Sequence, residues 1–210
     1  MADRNTVIKS TDTQRLVILQ RPVCEAEKTE SSVMCDLNAD LQALYSEGIL
    51  SDTEIRTATK TFPAHTQILG ARSLVFRNMF SKEEGAVEYV DIPDLDDDTV
   101  RLMLLHMYTD AFEKDLPYKK AFELYQAARK HGITSLKLKC LSFLLNHLSA
   151  SNACEILVFA DEHKEECLKR TVQGYILKNQ EILLSNEWKH LMASDLQLAA
   201  ETMYSNWRRS

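Results

Sequence analysis

FPAHTQILGARSLVFRNMF, the stretch from Phe62 to Phe80, is the most informative part of this chain. Its first residues resemble a short strand, and apolar residues then recur at helical spacing. The apolar positions of the helical part are Ile68, Leu69, Val75, Phe76, Met79 and Phe80. Small residues at Gly70, Ala71 and Ser73 lie at the junction between two helical turns. The pattern therefore predicts a strand that leads into helical segments.

The sequence on both sides of this stretch predicts further strands and helices. The predicted elements are a helix from Asp36 with Leu37, Leu41 and Leu44 on one face, a hairpin over 53–62, a strand over 87–92 and a helix over 99–108. Carboxylates at Asp94 and 96–98 precede the last of these, where they suit the free N–H groups of a helix start. Everything after Pro117 is predicted to be helical, and Asn152 with Glu155 resembles a capping box. The order indicates an α+β module followed by an all-α module.

The composition is that of an ordinary globular protein and disfavours two classes of partner. The chain has 210 residues, 45% of them apolar and 27% charged, with a formal net charge of −6. Nucleic-acid binding usually needs a basic face, and anionic membranes also attract basic segments. No apolar run follows a basic start, and none approaches the roughly 18 residues of a membrane-spanning helix. We therefore expect no nucleic-acid partner, no membrane association and no signal peptide.

The cysteines and histidines predict neither a metal site nor a disulfide framework. The five cysteines are Cys24, Cys35, Cys140, Cys154 and Cys167. An odd count in a chain of this size indicates reduced thiols, and hence a location in the nucleus, the cytoplasm or both. No C-x2-C pair occurs, although His163 and Cys167 lie four residues apart on what is predicted to be one helix. Each cysteine is predicted to be a small apolar core residue, and no cofactor is expected.

No arrangement in the sequence predicts catalysis. His65 has no neighbouring Ser or Cys nucleophile with an orienting acid, and phosphate-binding and nucleophile-elbow motifs are missing from the sequence. His65 is predicted to hold the turn after the hairpin. The chain is therefore predicted not to be an enzyme.

The stretch from Phe62 to Phe80 resembles the central signature of BTB/POZ domains, F-x-A-H-[K]-x-I-L-x-A-R-S-x-V-F-x-x-M-F. Further matches are Ser51-Asp52 before the first strand, Met107-Tyr108-Thr109 with Asp110 where glycine is usual, residues 153–163, and residues 186–189. Together they cover residues 36–207. The resemblance implies a BTB/POZ fold, a small β-sheet capped by helices, followed by an all-α, BACK-like (3-box) tail.

Within that family the chain is most similar to the speckle-type POZ proteins, which are MATH–BTB adaptors of cullin-3 ubiquitin ligases. The implied domains are an N-terminal extension over 1–35, a BTB/POZ domain over 36–148 and a BACK-like helical domain over 149–210. Residues 13–24 resemble the last strand of a MATH domain, the part that captures substrates in that subfamily. The helix pair over 152–178 resembles the element that extends cullin contact.

The resemblance implies three groups of contact residues. The homodimer interface would use Leu37, Leu41, Leu44 and Ile68, although the stripe on the first helix is also compatible with an intramolecular core. Cullin contact would use Lys82, Glu83, Glu84 and Tyr108, where Lys82 replaces an apolar anchor and the loop is about two residues shorter; a solvated acidic loop is the alternative. A second dimer contact would use Met203, where relatives carry tyrosine, and Tyr204.

The function implied is that of a dimeric adaptor that presents substrates to a cullin-3 RING E3 ligase for ubiquitination and proteasomal degradation. Its partners would be itself or a BTB paralogue, the cullin-3 scaffold, and protein substrates if a MATH domain is supplied in trans. Two alternatives remain: a dimerisation module without cullin binding that regulates full-length paralogues, and a BTB transcription regulator.

Overall fold

The computed structural model describes residues 37–82 and 87–204. The predicted MATH remnant, Glu83, Glu84, Cys24 and Cys35 lie outside the described residues. The strands are β1 (Thr53–Arg56), β2 (Thr61–Ala64) and β3 (Tyr89–Asp91). The helices are α1 (37–47), α2 (Thr66–Arg72), α3 (Leu74–Lys82), α4 (Asp97–Thr109), α5 (Tyr118–Lys130), α6 (Thr134–Asn146), α7 (Ala153–Glu162), α8 (Glu166–Lys178), α9 (Asn186–Ser194) and α10 (Leu196–Tyr204), with a 3-10 helix at Gln180–Leu184.

The described strands form one sheet in the order β2-β1-β3. β1 and β2 are the predicted hairpin, antiparallel with Ile55 opposite Phe62, and both of these side chains are buried. β3 is shorter than predicted and pairs with β1 in parallel. A parallel pair needs a crossover connection, which α2 and α3 provide here. Pro63 lies on β2 at the edge of the sheet, where its missing N–H removes no hydrogen bond of the ladder.

Gly48 ends α1 as predicted, and the structure shows why glycine is needed there. Its φ of 62° is in the left-handed region, and its N–H donates to the Leu44 carbonyl at 3.1 Å. A Cβ at this position would lie 2.8 Å from Cγ of Pro63. Glycine therefore allows α1 to end directly against the hairpin.

Ser73 separates α2 from α3 at the predicted junction between helical segments. It ends α2 in an extended conformation, and its Oγ accepts from the Phe76 N–H at 3.1 Å, which caps α3. The same hydroxyl donates to the carbonyl of His131 in the turn between α5 and α6. One buried serine therefore fixes a helix start and the position of a distant turn.

α4 starts two residues earlier than predicted, because Asp96 is its N-cap. The Asp96 carboxylate accepts from the N–H groups of Asp98 and Thr99, as the cluster of aspartates predicted. The capping box predicted at Asn152 is wrong, although α7 does start at Ala153. The Asn152 side chain instead accepts from the Ser149 N–H at 2.8 Å and donates to the His147 carbonyl at 2.9 Å, so it stabilises the preceding loop.

The chain from residue 149 onward is the predicted all-α tail, and it packs directly on α5 and α6. The rings of Phe122 and Phe159 stack with centroids 4.3 Å apart. Glu165, just before α8, accepts from the Tyr125 hydroxyl at 2.5 Å and from the Lys137 ammonium at 2.8 Å. The predicted domain boundary at 148/149 lies in the loop between α6 and α7, and the hydrophobic core continues across it. The α+β fold class with a helical tail is confirmed.

The cysteine predictions are only partly confirmed. Cys140 and Cys154 are buried, and burial raises their thiol pKa values to about 12 and about 11. Cys167 is exposed, so its prediction as a core residue is wrong. It also lies in α8, whereas His163 follows the end of α7, so the two do not share a helix. No three potential metal ligands cluster among the residues that the structure describes.

Across residues 37–82 and 87–204, no helix combines the length and the apolar character needed to span a bilayer.

Candidate functional site

α1 is fixed to α4 by one part of its apolar stripe. Leu44 and Tyr45 pack against the core, and the Tyr45 hydroxyl donates to the Arg101 carbonyl at 3.2 Å. The Tyr45 ring lies 5.3 Å from the Tyr108 ring, and burial raises the pKa of Tyr45. These contacts hold α1 in place within the protomer.

The remaining part of the stripe is open to solvent. Leu37 is 56% exposed and Leu41 is half-buried, while Ile68 of α2 packs partly against the core. The stripe was predicted to be a dimer interface or part of an intramolecular core, and the structure divides it between the two. Leu44 and Ile68 contribute to the core, whereas Leu37 and Leu41 leave apolar surface uncovered. All four remain predicted dimer contacts.

A buried hydrogen-bond network connects the end of the hairpin to α4 and to the segment after α1. His65 Nε2 lies 2.8 Å from the Ile49 carbonyl, which can only accept, so Nε2 carries the proton. His65 Nδ1 therefore accepts from the Tyr108 hydroxyl at 2.7 Å, and the same hydroxyl oxygen accepts from the His65 N–H at 3.0 Å. Burial is the main cause that raises the pKa of Tyr108 to about 12. Every polar atom of the pair is satisfied, which supports the predicted structural role of His65.

This network changes the interpretation of Tyr108 as a cullin contact. The side chain is only 4% exposed, and its hydroxyl is occupied by His65. It therefore presents almost no surface to a partner, and we remove it from the proposed contact set. Its resemblance to the family motif is better explained by its role in joining α4 to the hairpin.

Lys82 is the last residue of α3 and is exposed, while Glu83 and Glu84 lie outside the described residues. Phe80 does not replace the missing apolar anchor, because it packs against the core and stacks on Phe76 at 6.0 Å. α3 therefore presents an exposed ammonium group at Lys82, next to the predicted cullin-contact loop, at the position where the resemblance implies an apolar anchor.

The predicted second dimer contact lies at the end of α10. Met203 and Tyr204 are exposed, and Leu196 lies on the same face of the helix, seven residues before Met203. Leu198 and Thr202, four residues apart, are buried on another face, and Ala199, four residues before Met203, is buried between the two faces. α10 therefore has a buried face and a separate apolar face that is open to solvent.

Comparison with known proteins places these surfaces in a family. The model of the BTB/POZ domain family matches residues 41–148, about half of the chain. The chain belongs to the BTB/POZ family. The match runs from within α1 to the end of α6. It therefore includes the hairpin, the His65–Tyr108 network and Leu41 of the α1 stripe, whereas Leu37 lies before it. BTB/POZ domains are protein-interaction and dimerisation modules, and proteins that carry them are generally not enzymes.

Several relatives of this BTB/POZ chain are mouse proteins. It is 32% identical over 174 residues to TD and POZ domain-containing protein 4 of Mus musculus, and 33% identical over 172 residues to TD and POZ domain-containing protein 3. The alignments cover 81% and 80% of this chain and 47% of each relative, so the chain spans about half the length of the curated relatives it matches. A solved structure titled BTB domain of zebrafish PATZ1 has 22% identity and a TM-score of 0.45, and it covers 56% of this chain and 92% of that one. The speckle-type assignment remains a prediction.

Proposed function

We propose that this BTB/POZ protein is a dimeric adaptor that presents protein substrates to a cullin-3 RING E3 ubiquitin ligase. The observation that carries the proposal is the divided stripe of α1, which is fixed to the core through Leu44 and Tyr45 and leaves Leu37 and Leu41 uncovered. An apolar face held in a fixed position suits a symmetric contact with a second copy or a paralogue. Met203 and Tyr204 would provide a second contact of this kind.

The mechanism of such an adaptor is proximity, with no bond made or broken by its own residues. One surface binds the scaffold and another binds the substrate, so the substrate is held near the ubiquitin-transfer machinery. A dimer doubles both surfaces and increases the apparent affinity through avidity. Substrates would be captured with a MATH domain supplied in trans, and we place the adaptor in the nucleus, the cytoplasm or both.

The second candidate function is a BTB dimerisation module that does not bind cullin and regulates full-length paralogues. The exposed Lys82 favours this candidate, because an ammonium group cannot fill an apolar pocket without losing its hydration. The α7–α8 helix pair, which resembles the cullin-binding element, favours the adaptor.

One experiment separates the two candidates. The purified chain is titrated with the N-terminal domain of cullin-3 in a calorimeter, and the mass of the same sample is measured by light scattering. A dimer that binds at micromolar or tighter affinity supports the adaptor. A dimer with no heat of binding supports the regulatory module, and a monomer contradicts both.

A further inference from the structure

A groove lies between α6 and α8, away from the proposed dimer contacts and next to the α7–α8 helix pair that resembles the cullin-binding element. Its volume is about 590 Å³, and it is lined by Leu145, Leu148, Cys167, Arg170, Thr171, Gly174, Tyr175 and Lys178. The ion pair between Lys137 of α6 and Glu165 before α8 holds the two helices side by side. The groove is therefore built on two rigid elements.

The apolar wall of the groove continues along the outer face of α6. Leu138, Leu141, Leu145 and Leu148 follow each other at steps of three or four residues, so they form one stripe. Leu138 is 58% exposed and Leu145 is also exposed, whereas Leu141 and Leu148 pack partly against the core. From Leu138 to Leu145 the helical part of the stripe extends about 10 Å, and Leu148, in the segment after α6, continues it towards the groove.

The other wall gives the groove its charge. Arg170 and Lys178 are exposed on α8, the lining contains no carboxylate, and neither cation forms an ion pair with a described acidic residue. Among the described residues, Arg170 Nε donates to the Glu166 carbonyl at 3.3 Å. The two cations lie eight residues apart, about 12 Å along the helix. This pattern is complementary to carboxylates placed along one side of an apolar helix.

Gly174 contributes to the groove lining without a side chain. It lies in the middle of α8, between the two cations, and its φ is not among the positive values found in the part of the chain that the structure describes. Glycine is therefore not required there by the backbone, and helix propensity disfavours it. Its effect in this position is to leave space between the side chains of Arg170 and Lys178 in the groove lining.

We propose that the α6–α8 groove is a docking site for an acidic amphipathic helix of a partner protein. Apolar side chains of that helix would pack on the leucine stripe and the Tyr175 ring, and its carboxylates would pair with Arg170 and Lys178. The inference rests on the groove alone and holds whether or not the chain binds cullin.

The test is a selection from a displayed library of helical peptides of about three to four turns. Apolar residues are fixed at i, i+4, i+7 and i+11, and the other positions vary among Asp, Glu, Lys, Arg, Ser, Gln and Ala. We expect peptides that bind the full chain to be enriched in Asp and Glu. Their affinity, measured by fluorescence anisotropy, should fall at least about tenfold in the double variant Arg170→Glu/Lys178→Glu. The affinity should also fall in Gly174→Leu, because the leucine side chain fills the groove. Leucine also has a higher helix propensity than glycine, so the substitution suits α8.

Two controls make the result specific. Lys114→Glu/Lys189→Glu reverses the same number of exposed charges outside the groove lining and should leave peptide binding unchanged. Circular dichroism should show that all variants remain folded. Selected peptides that are basic or neutral, the absence of any selected peptide, or equal binding to wild type and groove variants would overturn the proposal.

Two other occupants are distinguished in parallel. If Gly174→Leu lowers the mass of the chain in light scattering, the groove binds a second copy, and the proposal is wrong. If the groove variants lose binding to the cullin-3 N-terminal domain and no acidic peptide is selected, the groove belongs to the scaffold contact. Failure of the unmutated chain to bind cullin overturns only the proposed function, because the peptide result is independent of it.

Discussion

The Asp110 carboxylate accepts a hydrogen bond from the Arg72 guanidinium at 2.7 Å, while the Asp110 backbone ends α4 in the left-handed conformation at φ 57°. The Lys139 ammonium donates to the second carboxylate oxygen at 2.6 Å. The side chain of Asp110 therefore joins the end of α4 to α2 and to α6. These hydrogen bonds, opposed by partial burial, lower the pKa of Asp110. Glycine at this position would offer the backbone freedom but none of these links.

Replacing Asp110 separates the backbone effect from the side-chain effect. Asp110→Ala loses both exposed ion pairs and keeps the left-handed strain, so we expect the free energy of unfolding to fall by about 1–2 kcal/mol. Asp110→Gly loses the same pairs but relieves about 1 kcal/mol of strain, so its stability should lie within about 0.5 kcal/mol of wild type. Urea unfolding of both variants measures the difference. Equal losses would show that the backbone conformation carries no cost here.

The Tyr108 hydroxyl should stabilise the fold through its hydrogen bonds with His65, apart from the packing of the Tyr108 ring. Tyr108→Phe keeps the ring but leaves His65 Nδ1 and the His65 N–H without their partner in the core. We expect a loss of about 1–3 kcal/mol in the free energy of unfolding. The matched control is Tyr89→Phe, at an exposed tyrosine, which should change stability by less than about 0.5 kcal/mol. A Tyr108→Phe variant as stable as the control would show that water replaces the hydroxyl.

Elements with a strong local signal were predictable from the sequence. The Asp96 cap and the Gly48 terminus depend on residues within one helical turn, the hairpin joins two strands that are adjacent in sequence, and each is confirmed. The parallel pairing of β3 with β1 was not predictable from local pattern, because it depends on how α2 and α3 cross over the sheet.

The errors have a common physical origin, which is that tertiary contacts decide between equivalent local choices. Asn152 has the residue type of an N-cap, but its side chain bonds the preceding loop. Tyr108 has the residue type of a contact residue, but His65 holds it in the core. Cys167 is exposed, and Leu138 is part of a leucine stripe on the surface. The exposure of both side chains depends on how α8 packs beside α6, which the local sequence does not determine.

Acid should weaken the start of α4 through Asp96. Partial burial acts to raise its pKa, but hydrogen bonds from Thr99 and Lys120 outweigh this and lower the pKa to about 2. Because the folded-state pKa lies below the ordinary value, the contribution is complete above about pH 4 and is lost as pH falls through about 2. Asp96 is half exposed, so solvent screening reduces the contribution to about 1 kcal/mol.

The variant Asp96→Asn keeps a good capping residue and removes this titration. We expect its free energy of unfolding to depend less steeply on pH between about 4 and 2 than that of wild type, as measured by urea unfolding across the range. The charge-matched control is Asp115→Asn. Asp115 is exposed and forms no hydrogen bond or ion pair with another described residue. A pH profile of Asp96→Asn parallel to wild type contradicts the assignment.

Charges on the open part of the α1 stripe should dissociate the dimer. In Leu37→Asp/Leu41→Asp, carboxylates would be buried without partners at the proposed interface, so we expect the mass measured by light scattering to halve. The thermal midpoint of the protomer should change little, because neither leucine is buried in the core. Leu184→Asp, at an exposed leucine of the 3-10 helix, should leave the mass unchanged. A dimer that survives the double substitution would place the interface elsewhere, with Met203 and Tyr204 the next candidates.

Restoring an apolar side chain at the end of α3 should strengthen cullin binding. Lys82→Met exchanges an exposed ammonium for an anchor that can enter an apolar pocket, and such anchors contribute a few kcal/mol in protein interfaces. We expect the Kd for the N-terminal domain of cullin-3 to fall at least about tenfold in calorimetry. Lys119→Met, at an exposed lysine of α5, controls for the loss of a charge and the gain of a thioether. If Lys82→Met and Lys119→Met bind equally, α3 does not contact the scaffold, and a dimerisation module without cullin binding becomes the better account of this surface.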